Sequence, residues 1–165
     1  MSFEDLRPYL WTWDKRALDP WRIGFSKNED GTFSLRSWLT DDLDKVKPAK
    51  YSFNGKVIAL TSRNNSSAST NLLSVINGLG RTTLVGEKTG GSAEGPSAGL
   101  IFTLNLPASK ITTRIPFFLQ KNNVTSFDKG MGLTPDLEVN PSAQDFSEQT
   151  DTILEKALML ATNPE

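Results

Sequence analysis

The chain has no cysteine and no histidine among its 165 residues. Without thiols there is no disulfide framework, no thiol nucleophile and no thiolate metal site, and without imidazole the commonest metal ligand and general base are missing. A Ser-His-Asp triad, a Cys-His dyad or a zinc centre built wholly from these residues is excluded. The redox compartment is not, because a chain without cysteine suits any compartment. An excess of one charge is also lacking: 18 Lys+Arg against 19 Asp+Glu leave a formal charge of -1. That supplies none of the basic field that holds a phosphate backbone or an anionic membrane, so nucleic acid is not an expected partner. Long apolar runs are absent as well. No segment approaches the roughly 18 consecutive apolar residues of a membrane helix, so no transmembrane segment is expected. Residues 1–5 are polar and acidic and do not read as a secretory leader. Internal repeats are absent, and nothing in the composition calls for a metal or a cofactor.

What is present falls into two textures within a length suited to one compact domain. Residues 1–50 form a Trp-rich leading segment carrying Trp11, Trp13 and Trp21 and prolines at 8, 20 and 48. Within it residues 3–18 have helical content broken at Arg7-Pro8, Glu29-Asp30-Gly31 is a turn signal, and residues 32–36 alternate as a half-buried strand does. Residues 41–50 read as a charged linker. The segment is expected to pack on the core formed by residues 51–165.

The core has an α/β pattern. Lys56-Val57-Ile58-Ala59-Leu60-Thr61 is nearly all apolar, the mark of a strand covered on both faces. Leu72, Leu73, Val75, Ile76 and Leu79 then recur with helical spacing, and Gly80 stands where a C-cap glycine ends a helix. Residues 82–85 read as the next buried strand, which makes a right-handed βαβ unit with a parallel pair. A loop with five glycines, 86–99, leads to strands at 100–106 and 110–119 with Pro107-Ala108-Ser109 as their turn, and these two antiparallel strands give a mixed sheet. Phe102, Phe117 and Phe118 read as core. A final helix is expected over 147–161, with Ile153, Leu154, Ala157, Leu158 and Leu160 on one side.

The chemistry is concentrated at Thr61-Ser62-Arg63-Asn64-Asn65-Ser66-Ser67-Ala68-Ser69-Thr70, a small polar turn between a buried strand and an amphipathic helix. A hydroxyl there lies beside unpaired backbone N–H groups and the positive end of a helix dipole, both of which favour a developing oxyanion. The same residues also suit plain helix capping, and spacing by itself does not separate the two readings.

Four consecutive blocks carry a resemblance. They are Gly55-Lys56-Val57-Ile58-Ala59-Leu60-Thr61-Ser62, Ser66-Ser67-Ala68-Ser69, Gly80-Arg81-Thr82-Thr83-Leu84-Val85-Gly86-Glu87-Lys88-Thr89-Gly90-Gly91, and Lys129-Gly130-Met131-Gly132-Leu133-Thr134-Pro135-Asp136-Leu137-Glu138-Val139. In order and spacing they resemble the C-terminal processing (tail-specific) serine peptidases over residues 51–140. The resemblance implies an α/β, crotonase-like (Clp-protease-like) core and a serine endopeptidase acting on extended polypeptides. It implies Ser67 as nucleophile, because Ser67 is the serine followed by Ala-Ser. The N–H of Ala68 becomes an oxyanion donor, and Gly90, Gly91 and Ser92 lie along the substrate.

One branch of that family places a base lysine where this chain has Ser92, and Lys88 is the nearby lysine that reaches the site if any does. A Gly-Gly loop without lysine is nearer the branch of the tricorn core and the interphotoreceptor retinoid-binding protein. That branch uses Ser-His-Ser-Glu, yet there is no histidine here and its glutamate falls at Lys129, beside Asp128. The Asp-Leu-Arg-x-Asn-x-Gly-Gly motif that supplies a second oxyanion N–H is also missing, since Asp5-Leu6-Arg7 runs on into Pro8-Tyr9-Leu10. Two expectations follow. Either the chain is the C-terminal part of a longer periplasmic or extracellular peptidase whose missing upstream part is its partner, or it is a pseudo-peptidase that binds a peptide or an apolar ligand. On both, the isolated chain is weakly active or inactive.

Overall fold

The structure, a computed structural model, describes residues 7–10, 23–40, 47–122 and 128–162. Trp11, Trp13 and Trp21, most of the helix expected over 3–18 and the start of the linker lie outside the described residues. In chain order the elements are β1 (Phe25–Lys27), β2 (Phe33–Leu35), β3 (Val57–Thr61), α1 (Ala68–Gly78), β4 (Thr82–Gly86), β5 (Ser97–Asn105), β6 (Thr112–Leu119), β7 (Leu137–Glu138), α2 (Ala143–Glu148) and α3 (Thr152–Thr162). Parallel and antiparallel pairs are both present.

Close contacts divide the chain into two units, Met1–Phe53 with Leu100–Phe117, and Asn54–Gly99 with Phe118–Glu165. In the first, β1 and β2 form an antiparallel hairpin, Phe25 opposite Leu35. Its turn is closed at Glu29-Asp30-Gly31 by Asp30, whose carboxylate accepts the N–H and the hydroxyl of Thr32 at 2.9 and 2.6 Å. Leu10, Phe102 and Leu104 make this unit's buried cluster, with Ile115 and Phe117 against it. Phe117 meets both Phe102 and Phe25 edge to face, at 5.1 and 5.7 Å between ring centroids.

The second unit holds the βαβ element. β3 and β4 pair in parallel from Val57 opposite Thr82 to Thr61 opposite Gly86, and β7 joins β4 on its other side, giving the order β3-β4-β7. Helix α1 connects the parallel strands and ends as the sequence indicates. Gly80 takes φ +67° and its N–H reaches the Asn77 carbonyl at 2.9 Å. Leu73 of α1 packs with Leu84, Ala93 and Leu133, with Ala59 and Ile76 at the margin. Helix α3 packs on β3 and β4.

Three expectations differ from what is found. The strand buried on both faces is β4, where Leu84 and Val85 are both 0% exposed, and not β3, where Val57 and Leu60 remain 38% and 42% exposed. β3 stands at the edge of the described sheet, so its alternate side chains lack the neighbours that β4 receives from two sides. Second, among the described residues β5 and β6 form a two-stranded sheet of their own, with Leu10 bridged to Leu104 of β5, and not a continuation of the parallel sheet. Third, the final helix is two helices. A capping box starts α2 at Ser142, whose hydroxyl accepts the Asp145 N–H while the Asp145 carboxylate accepts the Ser142 N–H. Gln149 then turns left-handed at φ 56°, and Asp151 caps α3 by accepting the Leu154 N–H at 2.9 Å. Of the apolar side expected for that helix, Ala157 is buried while Leu154, Leu158 and Leu160 stay exposed. No helix among the described residues is long and apolar enough to cross a membrane.

Candidate active site

The polar turn runs from the end of β3 to the start of α1, and its shape follows from short-range hydrogen bonds. Ser62 and Asn65 close a β-turn between them. The Asn65 N–H reaches the Ser62 carbonyl at 3.0 Å, and the Ser62 N–H reaches Asn65 Oδ1 at 2.6 Å. Ser67 follows with φ 53° and ψ -125°, a combination suited to glycine at the first central position of a type II′ turn and sparsely populated by other residues. Its carbonyl accepts the Asn71 N–H at 2.9 Å, so the helix begins immediately after it.

The hydroxyl of Ser67 does not cap that helix. A capping serine accepts an N–H two or three residues on, but Ser67 makes no side-chain cap bond, and the Ser69 N–H goes instead to the Ser66 carbonyl at 3.2 Å. Ser67 is exposed, and with Ser66 it forms one wall of an open cleft of about 280 Å³. Ser97, Gly95, Pro96, Gly91 and Ser92 line the rest. Among the described residues no charged side chain lines it. The N–H of Ala68, the first residue of α1, has no acceptor among the described residues, as expected for a first-turn donor.

The glycine-rich loop lies against the turn backbone to backbone. A Cβ on Gly91 would sit 2.6 Å from Thr70 Oγ1 and 2.9 Å from Ser66 Cα, and its N–H donates to the Asn65 carbonyl at 2.9 Å. A Cβ on Gly90 would stand 2.2 Å from the Arg63 carbonyl. The Thr70 hydroxyl, buried beside Gly91, has no partner among the described residues.

The loop is anchored from the other direction by the last of the four blocks. Thr89 donates its N–H to the Leu133 carbonyl at 3.0 Å, and its hydroxyl accepts the Leu133 N–H at 2.8 Å while donating to the Gly91 carbonyl at 3.1 Å. Gly132 passes so close that a Cβ there would lie 1.8 Å from the Thr89 carbonyl oxygen. Ala93 donates to the Met131 carbonyl at 3.0 Å, beside the bridge of Ser92 to Gly132. Arg63 and Glu87 form an ion pair across the neck of the turn, with Arg63 Nε to Glu87 Oε1 at 2.9 Å. The Arg63 guanidinium hydrogen-bonded to it holds the Glu87 carboxyl below its ordinary range.

Of the residues singled out in the sequence, Ser67, Gly91 and Ser92 meet at the cleft, with the Ala68 N–H beside Ser67 in the chain. Gly90 supports the loop from behind, against Arg63, and does not line the cleft. Lys88 is half-buried, is not among the lining residues, and makes no hydrogen bond or ion pair among the described residues. Lys129 and Asp128 are exposed and do not line it either. Sequence reasoning missed Asn65 and Thr89. Asn65 sits in a run of similar polar residues, and the partners of Thr89 are distant in sequence, so neither stands out until the chain is folded.

Comparison with known proteins shows the family. The family model described as Peptidase family S41 matches residues 23–139. No curated protein matches the chain. Among solved structures, a protein from Parabacteroides merdae described as a candidate peptidase is 27% identical over 73% of this chain, with a TM-score of 0.50. The match takes in 36% of that protein, so this chain spans little more than a third of its length. With the match running through β3, the Ser67 turn, the glycine-rich loop and β7, this chain belongs to peptidase family S41.

Proposed function

We propose that the chain carries the nucleophile turn of a serine endopeptidase of the C-terminal processing type, on a crotonase-like core. Ser67 is the nucleophile, and the Ala68 N–H is one donor to the oxyanion formed when the Ser67 hydroxyl adds to a peptide carbonyl. The observation that carries this is the backbone of Ser67. A serine held at φ 53° and ψ -125°, lining a cleft with its hydroxyl unused by the helix it precedes, is strain placed at a surface a substrate can reach. A capping serine needs no such conformation.

The substrate is an extended polypeptide, with the backbone of the Gly91, Ser92 and Gly95–Ser97 wall offering main-chain hydrogen bonds and small uncharged surfaces to it. Among the described residues no group lining the cleft can take the Ser67 proton near neutral pH. The base therefore comes from outside it, and the nearer branch is that of the tricorn core and the interphotoreceptor retinoid-binding protein, whose base is a histidine. The short share of the Parabacteroides merdae protein that is matched is in keeping with a longer protein, another part of which supplies it. Such a protein would act in the periplasm or outside the cell, as the resemblance to C-terminal processing peptidases implies.

The same bare cleft favours a second reading, a pseudo-peptidase that binds a peptide or an apolar ligand without cleaving it. A fluorophosphonate probe separates the two. Covalent labelling of this chain or of a longer native form, abolished by Ser67→Ala, is the expected result. Absence of labelling in both forms, with peptide binding retained, overturns the enzyme reading.

A further inference from the structure

We propose that Asn65 is the positioning residue that holds Ser67 in its strained conformation and fixes the adjoining wall of the cleft; as a role in catalysis this rests on the peptidase reading above. One residue joins three separate pieces of the site. Its Oδ1 accepts the N–H of Ser62 at the end of β3, and its Nδ2 donates to Ser69 Oγ in the first turn of α1 at 2.7 Å. Its carbonyl accepts the Gly91 N–H from the glycine-rich loop. The chain between the two side-chain anchors contains Ser66 and Ser67, so a single amide pins both ends of the strained segment.

Little at Ser67 itself imposes that geometry. Its hydroxyl and the next N–H are unbonded among the described residues, and its carbonyl bond to Asn71 is one that ordinary helix starts also make. A non-glycine residue persists in a sparsely populated conformation only when its surroundings over-determine it. The surroundings here are the turn closed by Asn65 and the loop laid on its carbonyl. The task needs an acceptor and a donor on one short planar group, which asparagine supplies. Aspartate keeps the acceptor for Ser62, and the Ser69 hydroxyl can reverse to donate to it. Leucine has a similar size and offers neither.

The test measures how strongly positions 65 and 67 are coupled in this chain, by thermal unfolding and without any need for turnover. Ser67→Gly relieves the strain, since glycine adopts that region freely, and should raise Tm by a few degrees with Asn65 present. With Asn65→Leu the turn is free to relax, and most of that gain should vanish; with Asn65→Asp it should return. Ser69→Ala, which removes only the partner of Nδ2, should reduce the gain in part and serves if Asn65→Leu does not fold. An equal gain in all backgrounds, or none with Asn65 present, overturns the proposal. In parallel, fluorophosphonate labelling of Ser67 should fall by roughly a hundredfold with Asn65→Leu and recover with Asn65→Asp. If labelling is unchanged while the thermal coupling holds, the role of Asn65 in aiming the nucleophile is overturned. If neither this chain nor a longer native form is labelled, the peptidase reading fails, and the thermal coupling still decides the role of Asn65.

Discussion

Asp136 reaches back 52 positions along the chain to accept the N–H of Leu84 at 2.7 Å. Leu84 lies in the most deeply buried strand of the second unit, one residue before β4 begins to pair with β7. The carboxylate thus continues the ladder where β7 has not yet started. It also ties the last of the four sequence blocks to the third.

Removing that acceptor leaves a buried N–H without a partner. Asp136→Ala should destabilise the chain by about 1–3 kcal/mol, and Asp136→Asn, which retains a carbonyl oxygen, by less. Chemical denaturation reads both. Equal stability of Asp136→Ala and the parent would show that the bond contributes nothing.

Gly91 and Gly132 serve close approach, since neither has room for a methyl group. Gly132→Ala drives a Cβ into the Thr89 carbonyl, where backbone must move, and should cost about 3 kcal/mol or more. Gly91→Ala meets Thr70 Oγ1 and Ser66 Cα and should cost about 1–3 kcal/mol. Because Gly91 bears on the Ser67 turn, its substitution should also reduce probe labelling at Ser67 by more than its effect on stability accounts for. Melting curves paired with labelling rates measure this directly.

Two carboxylates should make stability depend on acidity. The Ser142 N–H, aided by the Ser142 hydroxyl, holds Asp145 below its usual range, as the Arg63 guanidinium does Glu87. A carboxyl whose pKa is lowered on folding favours the folded state fully above its unfolded value. That contribution disappears as pH falls through the folded one. Tm should therefore hold level near neutrality and drop below about pH 4. Glu87→Gln should flatten part of that drop, and an unchanged profile for this variant would refute the contribution of the Arg63 pair.

The start of α2 offers a local test. Ser142→Ala removes the hydroxyl half of its capping box and should cost about 1 kcal/mol, with Ser142→Asp or Ser142→Asn losing much less. Such a loss, read by thermal unfolding, should leave labelling of Ser67 unaltered.

Much of the second unit was legible because its signals are local. The apolar run of β3, the helical spacing of α1 with Gly80 after it, and the short run of β4 each depend on neighbours a few residues away, and each element stands where those signals put it. The break at Gln149 was missed because the apolar pattern of α3 masked two successive caps, at Ser142 and Asp151. The Ser67 turn was recognisable as a strand-to-helix junction, but its hydroxyl read equally well as a cap. Asn65 looked like one more polar turn residue.

By itself the sequence determined the β3-α1-β4 unit, that these residues supply no histidine or cysteine, and which serine stands at the junction, since periodicity, capping residues and composition act over a turn or two of chain. Only the tertiary structure decided that β4 and not β3 is enclosed, that Ser67 is held in a strained conformation at a cleft, and that Thr89 and Gly132 brace the glycine-rich loop beside it. Burial and backbone strain are set by what packs from far along the chain, and hydrogen bonds spanning tens of residues leave no mark in local spacing.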